Sequence, residues 1–348
     1  MANKTTGHYI CALKGGSPAN PFLGDTGHRH WCAKQSRMYS VQYFSLSPQG
    51  TCIYCRQPST FRQFLICPIF PYAKPPTPLL TTMTMKSLIF FASILSLLSV
   101  LVVSTPVFSN PLRTRNGSDP FLIYVDGYYY LMTTTWRDLQ IVRSKTLEGL
   151  KTGETKTIYT MANPNPDGGN DVWAPELHKV NGTWYVYYSQ DRKSWVLTGE
   201  SEPWGVYGDN KQVHQEWGID ATVVEIPGWG SYYVWSCMAD ELQSLCIAKL
   251  VTPTSIGPFS TLSQPTEAWE RIEVPVNEGP AGLYHGNRTW IAYSASFCKT
   301  PDYVIATLLW DGRSDPVKAS SWTKSSGPLF SSANGNYGTA HNGYVERF

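Results

Sequence analysis

Acidic residues are nearly missing from the first 104 positions of this 348-residue chain, where Asp25 alone stands against nine Lys and Arg. The remainder reverses the balance, with 19 Lys and Arg against 25 Asp and Glu, so the formal net charge of +2 describes neither part. The acidic balance of residues 105–348 argues against a nucleic-acid partner, which calls for a basic face. Helical periodicity is also lacking in residues 105–348: no window gives an amphipathic helix, and Thr146–Gly149 offers one turn at most. Cysteine is scarce beyond the first hundred residues. Cys237 and Cys246 flank a short hairpin-like loop and suit a local disulfide, which leaves Cys298 over. In the leader, His28, His30, Cys32, Cys52 and Cys55 lack any usual finger spacing, which argues against a zinc site.

Long apolar runs are confined to one place. Met85-Lys86 precedes an uncharged stretch over 87–103, followed by Ser104-Thr105-Pro106. A short basic start, an apolar core and small residues at the end predict a secretory signal peptide over 85–104; a single-pass anchor at 87–103 is the alternative. A signal peptide belongs at an N-terminus, so translation is expected to begin at Met83 or Met85. Residues 1–84 then read as a basic leader that is disordered or an artefact of gene prediction. Asn116, Asn181 and Asn287 open glycosylation triplets, which fits a secreted, extracellular protein.

What residues 105–348 do have is aromatic and β-branched residues in short runs between dense turn signals. Runs at Tyr128–Thr135, Trp184–Ser189, Tyr232–Ser236, Trp290–Ser294 and Tyr303–Trp310 predict strands, and Asp126-Gly127, Asn181-Gly182, Pro227-Gly228 and Asp311-Gly312 predict turns. The fold class is all-β. Five polar residues, Asp119, Glu176, Asp220, Glu278 and His341, recur at intervals of roughly 45 to 65 residues, four of them just before a strand–Gly turn–strand unit. That period predicts a five-bladed β-propeller with one such residue per innermost strand, all gathered around the axis. The fifth unit begins at His341 and the chain stops at Phe348, so the fifth blade reads as truncated, leaving an exposed sheet edge. About 240 residues are enough to bury a full core.

Carboxylates gathered about one axis suit glycoside hydrolysis, which needs one group to protonate the leaving oxygen and another to activate water. Asp119, Asp220 and Glu278 could fill these roles; the same residues could equally be turn formers, since Ser-Asp-Pro and Asn-Glu-Gly-Pro are good turn sequences. Trp184, Trp235, Trp290 and Trp310 lie inside strand runs and read as core between blades. Trp136 and Trp173 fall at strand ends near the carboxylate rim, where they would either stack on a sugar ring or pack.

The order Gly117-Ser-Asp-Pro120, Val172-Trp-Ala-Pro-Glu176, Gly218-Ile-Asp-Ala221, Asn277-Glu-Gly-Pro280 and Ala340-His-Asn-Gly343 resembles glycoside hydrolase family 43 from roughly Asn110 to Val345. Residues 278–302 are similar in particular to fungal exo-acting α-L-arabinofuranosidases. The resemblance implies that Asp119 is the general base, Glu278 the general acid, and Asp220 a modulator of the acid's pKa that helps orient the sugar. It implies inversion, with base and acid roughly 6.5–9.5 Å apart. Glu176 matches a structural or substrate-proximal position. His341 matches an axial histidine that in some members helps hold water or a calcium ion in the channel; no cofactor is required. Trp136, Trp173, Glu176 and His341 form the expected substrate-binding set. The expected partner is plant cell-wall polysaccharide or an arabino-oligosaccharide, met by a monomer. Two departures stand out: Ala340 where glycine is usual, and the missing strands after His341. The alternatives are a β-xylosidase of the same family and a non-catalytic propeller that binds polysaccharide.

Overall fold

The computed structural model describes residues 8–14, 39–46, 52–56, 109, 111–162 and 171–347. Contacts divide the chain into two units, Met1–Gln57 with Ser109–Phe348, and Pro58–Phe108. The second unit, with the expected signal peptide, lies outside the described residues.

Among the described residues, twenty strands form five antiparallel four-stranded sheets. In chain order they begin with β1 (His8–Lys14), β2 (Tyr39–Leu46) and β3 (Cys52–Arg56). The first sheet of the core domain is β4 (Ser118–Val125), β5 (Tyr128–Thr134), β6 (Asp138–Ser144) and β7 (Glu154–Thr160). The second is β8 (Val172–Val180), β9 (Thr183–Gln190), β10 (Lys193–Thr198) and β11 (Gly208–Gln212). The third is β12 (Gly218–Ile226), β13 (Gly230–Ala239), β14 (Leu242–Thr252) and β15 (Ser255–Ser263). The fourth is β16 (Asn277–His285), β17 (Arg288–Ala295), β18 (Val304–Trp310) and β19 (Trp322–Lys324). Each sheet meanders outward from its first strand, and the first strands neighbour one another in a closed ring, β4 to β8, β12, β16, β20 (Asn342–Arg347) and back to β4. This is the all-β propeller that the repeat predicts.

Within residues 105–348 the fifth blade is a single strand, β20. Its sheet takes its other three members from the leader, in the order β20-β1-β2-β3, with Cys11 opposite Tyr344 and Leu13 opposite Asn342. The edge expected to stand open beside β20 is thus covered by β1, because a strand with unpaired N–H and C=O groups is satisfied by any segment that can extend alongside it. The sequence of the leader shows no periodicity that would announce these strands.

Between the blades lie the aromatic residues. Trp184, Trp235, Trp290 and Trp310 are all buried, as their strand positions predict. The face between the first and second sheets is filled by Tyr130, Met132, Leu177, Trp184 and Tyr188. Tyr187, Tyr233 and Trp235 pack between the second and third, and Ile247, Ile291, Tyr293 and Trp310 between the third and fourth. Fully burying one such side chain contributes about 1.5–3 kcal/mol. Cys237 and Cys246 form the expected disulfide. Cys298 is buried and itself disulfide-bonded, so it is not left over. Asn116, Asn181 and Asn287 are exposed.

Candidate active site

Each innermost strand is interrupted near its start by a residue in the left-handed region: Asp119 (φ 56°), Ala174 (φ 44°), Asp220 (φ 55°), Gly279 (φ 53°) and His341 (φ 52°). In the four core sheets the register slips at that point, between Ser118 and Phe121, Trp173 and Glu176, Ile219 and Thr222, and Glu278 and Ala281. A bulge of this kind turns the side chain away from the regular alternation and re-aims it. A non-glycine residue with positive φ costs on the order of 1–2 kcal/mol, and such strain persists where surrounding structure over-determines it.

What over-determines it here is a ring of hydroxyls on the second strands. Thr134, Ser189, Ser236 and Ser294 each stand opposite the residue just before the bulge of their own sheet. Each hydroxyl then bonds the first strand of the next sheet. Thr134 Oγ1 accepts from the Ala174 N–H (2.8 Å), Ser189 Oγ from Asp220 (2.9 Å) and Ser294 Oγ from His341 (2.7 Å). Ser236 Oγ instead donates to the Asn277 carbonyl at 3.0 Å. The four units end in Thr-Thr, Tyr-Ser, Trp-Ser and Tyr-Ser, a signal present in the sequence but not readable as a site without the fold.

Of the five predicted axial residues, three share a bulge position and meet. Nδ1 of His341 donates to Oδ1 of Asp119 at 3.1 Å and lies 3.8 Å from Oδ2 of Asp220. Asp119 Oδ2 also accepts from the Thr134 hydroxyl. Burial by itself would push the His341 imidazole down; the Asp119 and Asp220 carboxylates, the hydrogen bond to Asp119 and the more distant Glu278 outweigh it and raise its pKa to about 9. The ring is therefore an imidazolium at neutral pH, offsetting the repulsion between two carboxylates. In that state both nitrogens are donors. Among the described residues no group of three His, Cys, Asp or Glu could hold a metal ion.

Glu278 precedes its bulge by one residue, so the carboxylate belongs to the regular part of the strand. It is 3% exposed; Oε1 accepts from the Tyr303 hydroxyl at 2.8 Å and Oε2 from Gln243 Nε2 at 2.7 Å. Its charge is felt by His341, which links the two halves of the site.

Glu176 does not stand where the even spacing predicts. The bulge position of its strand is Ala174, and Glu176 lies two residues on, with Oε2 bound to His178 Nε2 of the same strand face at 2.7 Å. The His178 ring packs against Phe121 and Tyr187. Trp173 is 5% exposed and packs with Ala174 and Ile219, so it presents little surface to a ligand. Trp136 is half-buried against this cluster at φ 79°, its carbonyl accepting from Val172 N–H at 2.9 Å. Trp217, absent from the sequence-based set, joins it from the segment before Asp220. Gln243 and Tyr303 are also absent from that set, because both act across sheets or across a loop.

Residues 108–347 match the family model described as Glycosyl hydrolases family 43. The chain belongs to glycosyl hydrolase family 43. It is 33% identical to an extracellular exo-α-(1→5)-L-arabinofuranosidase of Streptomyces avermitilis, covering 73% of this chain and 59% of that relative. It is 30% identical to α-L-arabinofuranosidase B of Pyricularia oryzae, covering 71% and 55%. The chain thus spans less than two thirds of the length of these two curated relatives. An α-L-arabinofuranosidase from Lactobacillus brevis superposes with a TM-score of 0.60 at 28% identity, over 68% of this chain and 81% of the other. Within the family, the Asp119–His341–Asp220 group and Glu278 are the natural candidates for chemistry.

Proposed function

We propose that this family 43 chain is a secreted glycoside hydrolase that removes α-L-arabinofuranosyl residues from arabinan or arabinoxylan with inversion. Asp119 takes a proton from water as that water attacks the anomeric carbon, and Glu278 gives its proton to the departing oxygen. Asp220 sets the charge environment of the acid and orients the sugar, while the His341 imidazolium holds both aspartates. Trp136 and Trp217, half-buried against Trp173, offer aromatic surface to the sugar, while Glu176 is engaged by His178. The carrying observation is that Asp119, Asp220 and His341, from three different sheets, converge on one point with Glu278 within electrostatic reach. The arabinofuranosidase names of the relatives support the choice of sugar. Secretion fits the Cys237–Cys246 disulfide and the exposed glycosylation triplets.

The test is hydrolysis of 4-nitrophenyl α-L-arabinofuranoside beside the β-D-xyloside by the full chain, with Glu278→Ala in parallel. Arabinoside cleavage lost in the variant is expected. Preference for the xyloside would replace the sugar assignment, and arabinan binding without release of arabinose would replace catalysis with binding.

A further inference from the structure

Both oxygens of the Glu278 carboxylate are held by neutral donors, and the holders come from different sheets. Gln243, on β14 of the third sheet, donates Nε2 to Oε2 and also to Ser236 Oγ at 3.1 Å. Ser236 Oγ in turn donates to the carbonyl of Asn277, the residue before Glu278. The Gln243 backbone bridges Val276 in parallel. One side chain therefore fixes the acid's head and, through Ser236, the backbone beside it. Tyr303, just before β18, donates to Oε1 from a site 1% exposed, packed among Trp290, Cys298 and Ala340. Its hydroxyl stays a phenol, since burial and then Glu278 push its ionisation well above the usual range.

A general acid enters the reaction protonated and leaves it as a carboxylate. Its O–H bond breaks as the proton passes to the departing oxygen, and the negative charge left behind must be accommodated where it stands. An amide N–H can only donate, so it favours the carboxylate; a phenol can accept from the acid before transfer and donate to it afterwards. We infer that Gln243 and Tyr303 are positioning residues that hold the Glu278 carboxyl in place and stabilise the carboxylate formed at proton transfer. This rests on the proposed role of Glu278 as acid. The titratable groups around it are Tyr303 on the loop into β18, Asp220 on β12 and His341 before β20, with Asp119 on β4 behind His341.

The experiment compares Tyr303→Phe, Gln243→Leu and Glu278→Gln in the full chain, on arabinofuranosides with activated (4-nitrophenyl) and poor (methyl) leaving groups, after thermal melting has verified folding. A poor leaving group needs the proton, so kcat/KM on the methyl glycoside is expected to fall roughly tenfold to a hundredfold in the two positioning variants, and by less than about threefold on the activated one. The alkaline limb of the pH profile should rise by about half to one unit, because lost donors disfavour the charged form. Equal loss on both substrates, or an unmoved alkaline limb, would overturn the inference while Glu278→Gln keeps its leaving-group dependence. Glu278→Gln without that dependence would overturn the acid assignment and the inference together.

Discussion

The first strands of the first and third sheets and those of the second and fourth break at the same point, yet one pair places aspartates there and the other Ala174 and Gly279. The backbone device is shared and the hydroxyl behind it is shared; only the side chain differs. In the first and third sheets the bulge aims a carboxylate at His341. In the fourth it aims nothing, and the emptiness matters: a Cβ on Gly279 would lie 3.0 Å from His341 Cγ and from Ser294 Oγ. The glycine makes room for the imidazolium, and the acid is carried one residue earlier. A repeat can therefore supply five equivalent backbone positions while the chemistry uses three of them and leaves two clear.

Replacing a carboxylate on the occupied side of this comparison should cost most. Asp119→Asn is expected to lower kcat/KM for the arabinofuranoside by about 10²–10⁴, whereas Ala174→Gly, at the matching point of the second sheet, should leave it near the wild-type value. Steady-state kinetics on the two variants decide whether equivalent backbone means equivalent function. Gly279→Ala comes next. It adds left-handed strain and the two close contacts, and should destabilise by about 2–4 kcal/mol in urea unfolding, with activity falling in step. An unchanged midpoint would mean that His341 can move aside freely.

The stitching hydroxyls sharpen the comparison further. Ser294→Ala strands the His341 N–H and Ser189→Ala the Asp220 N–H, each at a cost of about 1–3 kcal/mol in unfolding free energy. The first should also disturb the pH profile, because His341 carries charge.

Two histidines give the smallest and most diagnostic signals. His341, with its folded pKa raised to about 9, contributes stability in full below the unfolded value near 6.5, and that contribution fades as pH rises through about 9. His214 is the opposite case. Burial beside Tyr233 and Trp235, then Lys193, depress it to about 4, so its contribution is present above 6.5 and fades as pH falls through about 4. His341→Gln should flatten the alkaline side of a stability–pH curve and His214→Phe the acid side; exchange of these two outcomes would overturn the assigned charge states.

Much of this architecture is legible before any coordinates. Turn pairs such as Asp126-Gly127 and the aromatic runs after them locate β5, β9, β13 and β17 to within a few residues, because hairpin chemistry is local. Even spacing misleads at Glu176, which fits the period but lies two residues past the bulge; a count of residues cannot see a register slip. Gln243 is invisible for a different reason. It meets Glu278 across 35 residues and two sheets, with no motif around it.

Local pattern by itself determined the all-β class and the blade repeat and marked Asp119, Glu176, Asp220, Glu278 and His341 as candidates, since strand alternation and turn propensity are written residue by residue. Tertiary structure alone decided which of them touch, that His341 carries a proton, that Glu176 turns to His178, and that leader strands pair with β20. Those outcomes depend on burial and on distances between segments remote in the chain, where a carboxylate's neighbours, rather than its position in a motif, set its charge and its reach.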